Sequence, residues 1–339
     1  MPPVKFHAAI LVLASAATLA GCGDDSNSTE STSSAVCDEL PPLEQKDTYR
    51  VGFAQLYEEN GPWRDANTKS MLDEAKERGY EMLFDPGTKS DPSEQVERME
   101  TLIDEKVDAI FIAPHDETVL APSVVAARRA CIPVFVVDRG VDEDIAVPGE
   151  DYVSYLGSDF KKEGELAAEW MLDNVSGDIE VIELEGTIGS SPGVLRKQGF
   201  DERVESESRV KILVSESADF NEDKGYEAAK RLVQEYPTAN VIYSHNDAMS
   251  FGVITALEEL DMKPGEDITI ISVDGTKKAT QYVIDGKIDV VVECNPKFGP
   301  IAFDTMEDYA AGKEVPLKVF NVDRVFDSDN AEDYLPEAF

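Results

Sequence analysis

Basic residues are scarce in this sequence: 31 lysines and arginines face 69 aspartates and glutamates, a formal charge of −38 over 339 residues. Nucleic acid is excluded as a partner, because binding it requires Lys and Arg to replace counterions on phosphate. The same shortage disfavours docking on anionic lipid. Histidine is scarcer still, with three in the chain, so a histidine-built metal cluster is not expected. The four cysteines contain no Cys-x-x-Cys pair, which removes the common zinc and thioredoxin-like patterns. No glycine-rich phosphate loop of the Walker type is present. In "DFNEDKG", Asp219, Asn221 and Asp223 alternate as in a calcium loop. Its sixth and twelfth positions, however, are Lys224 and Lys230, where an EF-hand needs Gly and Glu. The stretch reads as an acidic turn entering a helix, and no metal or cofactor is expected.

Long apolar runs are missing as well. The longest, "AAILVLASAATLA", is too short to count as a spanning helix. It follows Lys5 and ends in "LAGC", which resembles the bacterial lipoprotein cleavage box: small residues admit a peptidase and the thiol of Cys22 takes the lipid. Residues 1–21 are therefore expected to be a signal peptide. Residues 22–48, which include "GDDSNSTESTSS", are expected to be a flexible tether, too polar to bury anything. The folded body should begin near Tyr49, outside the cytoplasm, periplasmic or at the cell surface, and touch a membrane only through its lipid. The acid excess suits solubility at high ionic strength, where self-repulsion is screened.

From Tyr49 onward, short β-branched runs ("YRVGFAQ", "YEMLF", "DAIFIA", "IPVFVV") alternate with segments of helical period. Continuous apolar strands separated by helices imply a parallel sheet covered on both faces. After "YVSYLGSD" the pattern restarts with "IEVIEL", "VKILVSE", "NVIYSH" and "DITIISV" as strands. The fold class is α/β, with two doubly wound parallel sheets in series. Ligands of such sheets bind where strands end and helices begin. If the two sets of ends face each other, a cleft forms between lobes. Of the cysteines beyond Cys22, Cys37 and Cys131 could both lie at the end of the first lobe remote from that cleft. A disulfide between them is the favoured pairing, with free thiols at Cys37, Cys131 and Cys294 as the alternative.

The residues just past the strands carry the chemistry. "GPWR" follows the first strand with Trp63 and Arg64; "DRG" follows the fourth with Asp138 and Arg139. In the second half come Arg196 beyond "LEGTIGSS", Phe220 in "SADF", Asn246 in "HND" and Asp274 in "VDGT". A sugar hydroxyl both donates and accepts, so it suits carboxylates, guanidiniums and an amide together. Planar aromatics cover the C–H faces of a ring. Asn246 and Asp274 also suit helix capping, a role compatible with contacting a ligand.

These motifs, with "RKQGF", "ADFNEDKG", "SHNDAMSFG" and "DGKI", resemble the periplasmic sugar-binding proteins of ABC transporters, in the ribose-binding-like group. Within it the chain is most similar to galactofuranose binders, which also carry a Trp-Arg pair where ribose binders show two phenylalanines. The resemblance implies the type I periplasmic binding protein fold. It also implies a monomeric, non-enzymatic protein that takes a monosaccharide (galactofuranose-like, or a related pentose or hexose) in the cleft and delivers it to ABC permease subunits. Trp63, Arg64, Asp138, Arg139, Arg196, Phe220, Asn246 and Asp274 would line that cleft. Where ribose binders place a polar amide, this chain offers Glu293, Cys294 or Asn295. The family further implies a three-stranded hinge, with crossings near Ser158, Asn295 and Pro316. The lobes would then be 49–157 with 296–316, and 158–295 with 317–339. Two other classes remain: a sensor feeding a chemoreceptor or kinase, and a glycosidase using Asp138 and Asp274. The arginines beside those carboxylates should keep both ionised, which argues against a general acid.

Overall fold

The structure, a computed structural model, describes residues 36–56, 61–87 and 91–339. Cys22 and the signal segment lie outside the described residues. The first sheet is built from β1 (Arg50–Ala54), α1 (Pro62–Glu77), β2 (Glu81–Phe84), α2 (Pro92–Asp104), β3 (Ala109–Ile112), α3 (Glu117–Arg129), β4 (Val134–Val137) and β5 (Ser154–Gly157). The second follows with α4 (Phe160–Asn174), β6 (Ile179–Glu185), α5 (Ser191–Val204), β7 (Val210–Ser217), α6 (Glu222–Glu235), β8 (Val241–Ser244), α7 (Asp247–Glu259), β9 (Thr269–Asp274), α8 (Lys277–Ile284) and β10 (Val290–Glu293). The chain closes with α9 (Gly299–Ala310), β11 (Lys318–Phe320), β12 (Val325–Asp327) and α10 (Ala331–Tyr334).

Strand order is β11-β5-β4-β3-β1-β2 in one sheet and β12-β10-β9-β8-β6-β7 in the other, the same plan twice. All pairings are parallel except β10 with β12. The alternation of side chains along each strand feeds two cores per sheet. Phe53, Phe111 and Phe135 meet Met71 of α1 and Phe303 of α9 on one face, while Ile110, Ile112 and Val136 meet Met99 of α2 and Leu120 of α3 on the other. The second sheet repeats this, with Val181, Val241 and Val290 against α4 and α5, and Ile182, Ile242 and Val291 against α6, α7 and α8. The inner strands are buried on both faces, which is why they read as unbroken apolar runs, whereas the edge strands β2, β7 and β11 are part-exposed.

Three corrections to the sequence reading concern boundaries. The helix after β1 begins at Pro62, so Trp63 and Arg64 stand in its first turn; proline at the first helical position is preorganised for that. Residues 36–48 are not a free tether: Cys37 is bonded to Cys131, Leu43 is buried in the first core, and Pro41 O accepts from the Tyr309 hydroxyl at 2.8 Å. The third crossing lies between Phe320 and Val325, and not near Pro316, because Lys318–Phe320 zip onto the edge of β5 in parallel register before the chain leaves. The other two crossings fall at Ser158 and Asn295–Pro296. Asp323 ties all three together, since its Oδ1 accepts from Ser158 Oγ at 3.1 Å and from the Asn295 N–H at 3.3 Å. Burial and the neighbouring Glu163 push the Asp323 carboxyl up to about 8.

Candidate functional site

The C-terminal ends of both sheets open onto one cavity of about 400 Å³. All eight residues singled out in the sequence line it: Trp63, Arg64, Asp138 and Arg139 from the first lobe, Arg196, Phe220, Asn246 and Asp274 from the second. His115, Phe160, Thr187, Asp219 and Asn221, which the sequence did not single out as site residues, line it too. His115 sits just past β3 and Asp219 just past β7, so the strand-end rule that found the others points to them as well. Phe160 opens α4, directly after a crossing, and had no such signal. Among Glu293, Cys294 and Asn295, the cavity wall is Cys294; Glu293 instead grips Arg324, with both its oxygens 2.7 Å from guanidinium nitrogens.

On the first lobe, the buried Arg64 places Nη1 2.8 Å from Asp138 Oδ2 and donates to Gln55 Oε1 at 2.8 Å. Arg139 Nε stands 4.0 Å from the same Asp138 oxygen. The Trp63 indole donates to Cys294 O at 2.7 Å across the lobe boundary, and its ring lies 5.0 Å from the Arg64 guanidinium carbon. The indole is therefore fixed at both its polar tip and its face.

On the second lobe, Arg196 is 97% buried and spends its donors inward: Nε on Glu163 Oε2 at 2.6 Å and Nη1 on His245 O at 2.5 Å. Its Nη2 stands 3.8 Å from Asp274 Oδ1. The guanidinium lies 5.4 Å from the Phe160 ring and 5.8 Å from that of Phe220, and Arg139 reaches the Phe220 ring at 6.0 Å from the opposite lobe. Phe220 rests on Gly186, where a Cβ would come within 1.9 Å of the ring. Gly186 is held in turn by Ser217 Oγ, which donates to its carbonyl at 2.6 Å, and by its own N–H, which donates to His245 Nδ1 at 3.4 Å. Asn246 caps α7 by accepting from the Met249 N–H at 2.9 Å and ties the Phe220 carbonyl at 3.2 Å. The cap of α8, by contrast, is Thr276 and not Asp274.

Backbone strain concentrates at this site. Asp138 (φ 61°), Asp219 (φ 59°), Phe220 (φ 56°) and Asp274 (φ 126°) all occupy the left-handed side of the map, although none is glycine. Such residues persist only where surroundings over-determine them, and they gather at ligand clamps. Asp247 supplies that determination for Asp274. Its carboxylate takes Ser272 Oγ at 2.6 Å, the Gly275 N–H at 3.1 Å, and both the N–H and hydroxyl of Thr276 at 2.8 and 2.7 Å, fixing the turn after β9.

The arginine expected to keep Asp274 ionised is opposed by stronger influences. Burial and then the Asp247 carboxylate raise the Asp274 carboxyl well above the usual range. Arg196 opposes this only in part, because its Nε is committed to Glu163. Glu163, fully buried, is itself pushed up by burial, with Arg196 pulling it back. Among the described residues, no cluster of three or more His, Cys, Asp or Glu could hold a metal ion.

The sequence profile of the periplasmic binding protein domain matches residues 51–314. The chain belongs to this family. Among relatives in it, the galactofuranose-binding protein YtfQ of Escherichia coli is 35% identical over 274 residues, 79% of this chain and 84% of that one. The fructose import binding protein FruE of Bifidobacterium longum is 32% identical over 332 residues, 96% of each chain. A Mycobacterium smegmatis protein solved with β-D-fucofuranose superposes with a TM-score of 0.79 at 34% identity, covering 85% of this chain and 94% of that one. Such solved neighbours share the twofold α/β plan described above.

Proposed function

We propose that the protein captures a neutral monosaccharide, of furanose type or a related pentose or hexose, between its two lobes and hands it to an ABC permease. The carrying observation is the convergence on one cavity of three arginines and three aspartates drawn from both lobes, with Arg139 and Arg196 against the Phe220 ring. The formal charges nearly cancel, which suits an uncharged ligand with many hydroxyls. Asp138, Arg139, Arg196 and Asp274 would hold hydroxyls, and Phe220 would cover a ring face with Trp63 across the cleft. Closure of the lobes would expel water and complete the bonds. Micromolar affinity needs about 8 kcal/mol. Several hydrogen bonds to charged groups, each worth about 1.5–3 kcal/mol, reach that after ordering costs. Lipid attachment at Cys22 would keep the carrier beside its permease, outside the cytoplasm, as a monomer.

Thermal-shift screening against pentoses and hexoses, followed by titration calorimetry, tests the proposal. At least one sugar should bind, and Arg139→Ala or Asp274→Ala should abolish that binding while the far-ultraviolet spectrum stays native. Unchanged affinity in both variants would refute the assignment. The raised Asp274 carboxyl favours one second reading, a glycosidase with Asp274 as acid. Mass spectrometry of incubated glycosides separates the two: intact ligand supports capture, a new product supports hydrolysis.

A further inference from the structure

Two helix N-termini, one from each lobe, meet beside the ligand cavity. Helix α3 starts at Glu117 in the first lobe and α5 at Ser191 in the second. The Gly140 N–H of the first lobe donates to Ser191 Oγ at 2.8 Å. The Glu117 carboxylate faces the same hydroxyl: burial pushes that carboxyl up, and Ser191 partly offsets the push. Glu117 Oε1 and Ser191 Oγ accordingly both lie within 4 Å of where a Gly140 side chain would begin.

This triad separates two spaces. Arg139 and Pro192 line the ligand cavity, whereas their immediate neighbours Gly140 and Ser191 line a second cavity on the flank, also walled by both lobes. Phe160 belongs to both walls. The Gly140–Ser191–Glu117 contact is thus part of the partition that closes the side of the ligand chamber.

We infer that Glu117 and Ser191 form an interlobe latch that sets how long a captured ligand stays. Both helix N-termini carry partial positive charge, so bringing them together is unfavourable unless an anion stands between. The Glu117 carboxylate is that anion, and the Ser191 hydroxyl spans the boundary. Neither side chain lines the ligand cavity, so each acts on the ligand only through closure and is a positioning residue.

The latch predicts that Ser191→Ala and Glu117→Gln each speed ligand release about tenfold, which corresponds to about 1.4 kcal/mol of interlobe contact. The association rate should change little. The double variant should be no faster than the worse single one, because both substitutions break the same contact. Stopped-flow tryptophan fluorescence with D-galactose and D-fructose reads the rates, and the melting temperature of the ligand-free variants controls for folding. A dissociation rate unchanged in both variants overturns the latch, as does a double variant whose effects simply add. If neither sugar binds the parent protein, the capture proposal rests with the wider pentose and hexose screen, and the radius of gyration of the ligand-free protein decides the latch. It should rise in both variants if the latch draws the lobes together, and equal radii overturn it.

Discussion

Gly186 shows what one missing methyl group does. The Phe220 ring occupies the volume a side chain would take, and the same glycine is gripped by Ser217 and His245. Adding a methyl must lift the ring or bend the turn, an overpacking strain of about 1–3 kcal/mol. Gly186→Ala is therefore expected to weaken sugar binding at least tenfold by calorimetry while lowering the melting temperature only modestly. Retained affinity would mean that Phe220 does not cover the ligand. Asp138, Arg139 and Asp274 were legible in the sequence because a polar residue straight after an apolar strand stands out. Glu163 was not: it sits mid-turn on α4 like any surface glutamate, and only the fold reveals that it is buried against Arg196. No spacing rule foretold that an aspartate beside Arg196 would be raised, because Asp247 acts from the start of α7, after the neighbouring strand β8.

At the scale of elements, the long parallel strands declared themselves through continuous Val, Ile and Phe, and the helices between them through their period. The failures are the short pieces. Strands β11 and β12 have three residues each and carry no period, so the last crossing was placed too early. Helix α8, at eight residues, has little more than two turns, too few for a period to stand out in the sequence. The junction of β9 and β10 carries a pH-sensitive bond: Asp289 Oδ2 accepts the Ile270 N–H at 2.8 Å, and burial pushes its carboxyl up to about 6. A carboxyl raised in the fold binds its proton more tightly there than in the unfolded chain. Its contribution is thus most favourable at low pH, declines as pH rises past the unfolded value near 4, and levels off above about 6. Asp289→Asn keeps an acceptor for Ile270 without the charge. It should be more stable than the parent protein in urea, by at most about 3 kcal/mol at pH 8 and by less at pH 5. Equal stability at both values would show that the carboxylate is better solvated than its burial implies.

Across the whole molecule, the charge of −38 sets the conditions under which the fold holds. Unscreened carboxylates repel over about 10 Å at 0.1 M salt and only about 3 Å at 1 M. The melting temperature should therefore climb by several degrees between 0.1 and 2 M potassium chloride; a flat profile would remove repulsion as a factor. The Cys37–Cys131 bond spans 94 residues of sequence, and a loop of that length contributes about 4–5 kcal/mol in the chain-entropy account. Reduction should lower the unfolding midpoint accordingly, without altering ligand affinity in the protein that remains folded.

That bond has a mechanical side too. Cys131 lies between the end of α3 and the start of β4, at the opposite pole of the first lobe from the strand ends that meet the ligand. Any pull arriving along the N-terminal segment enters there and is borne by α3 and β4. None of the three passages between the lobes lies on that load path, so a leash fixed to a membrane would hold one jaw by its back and leave the bite free.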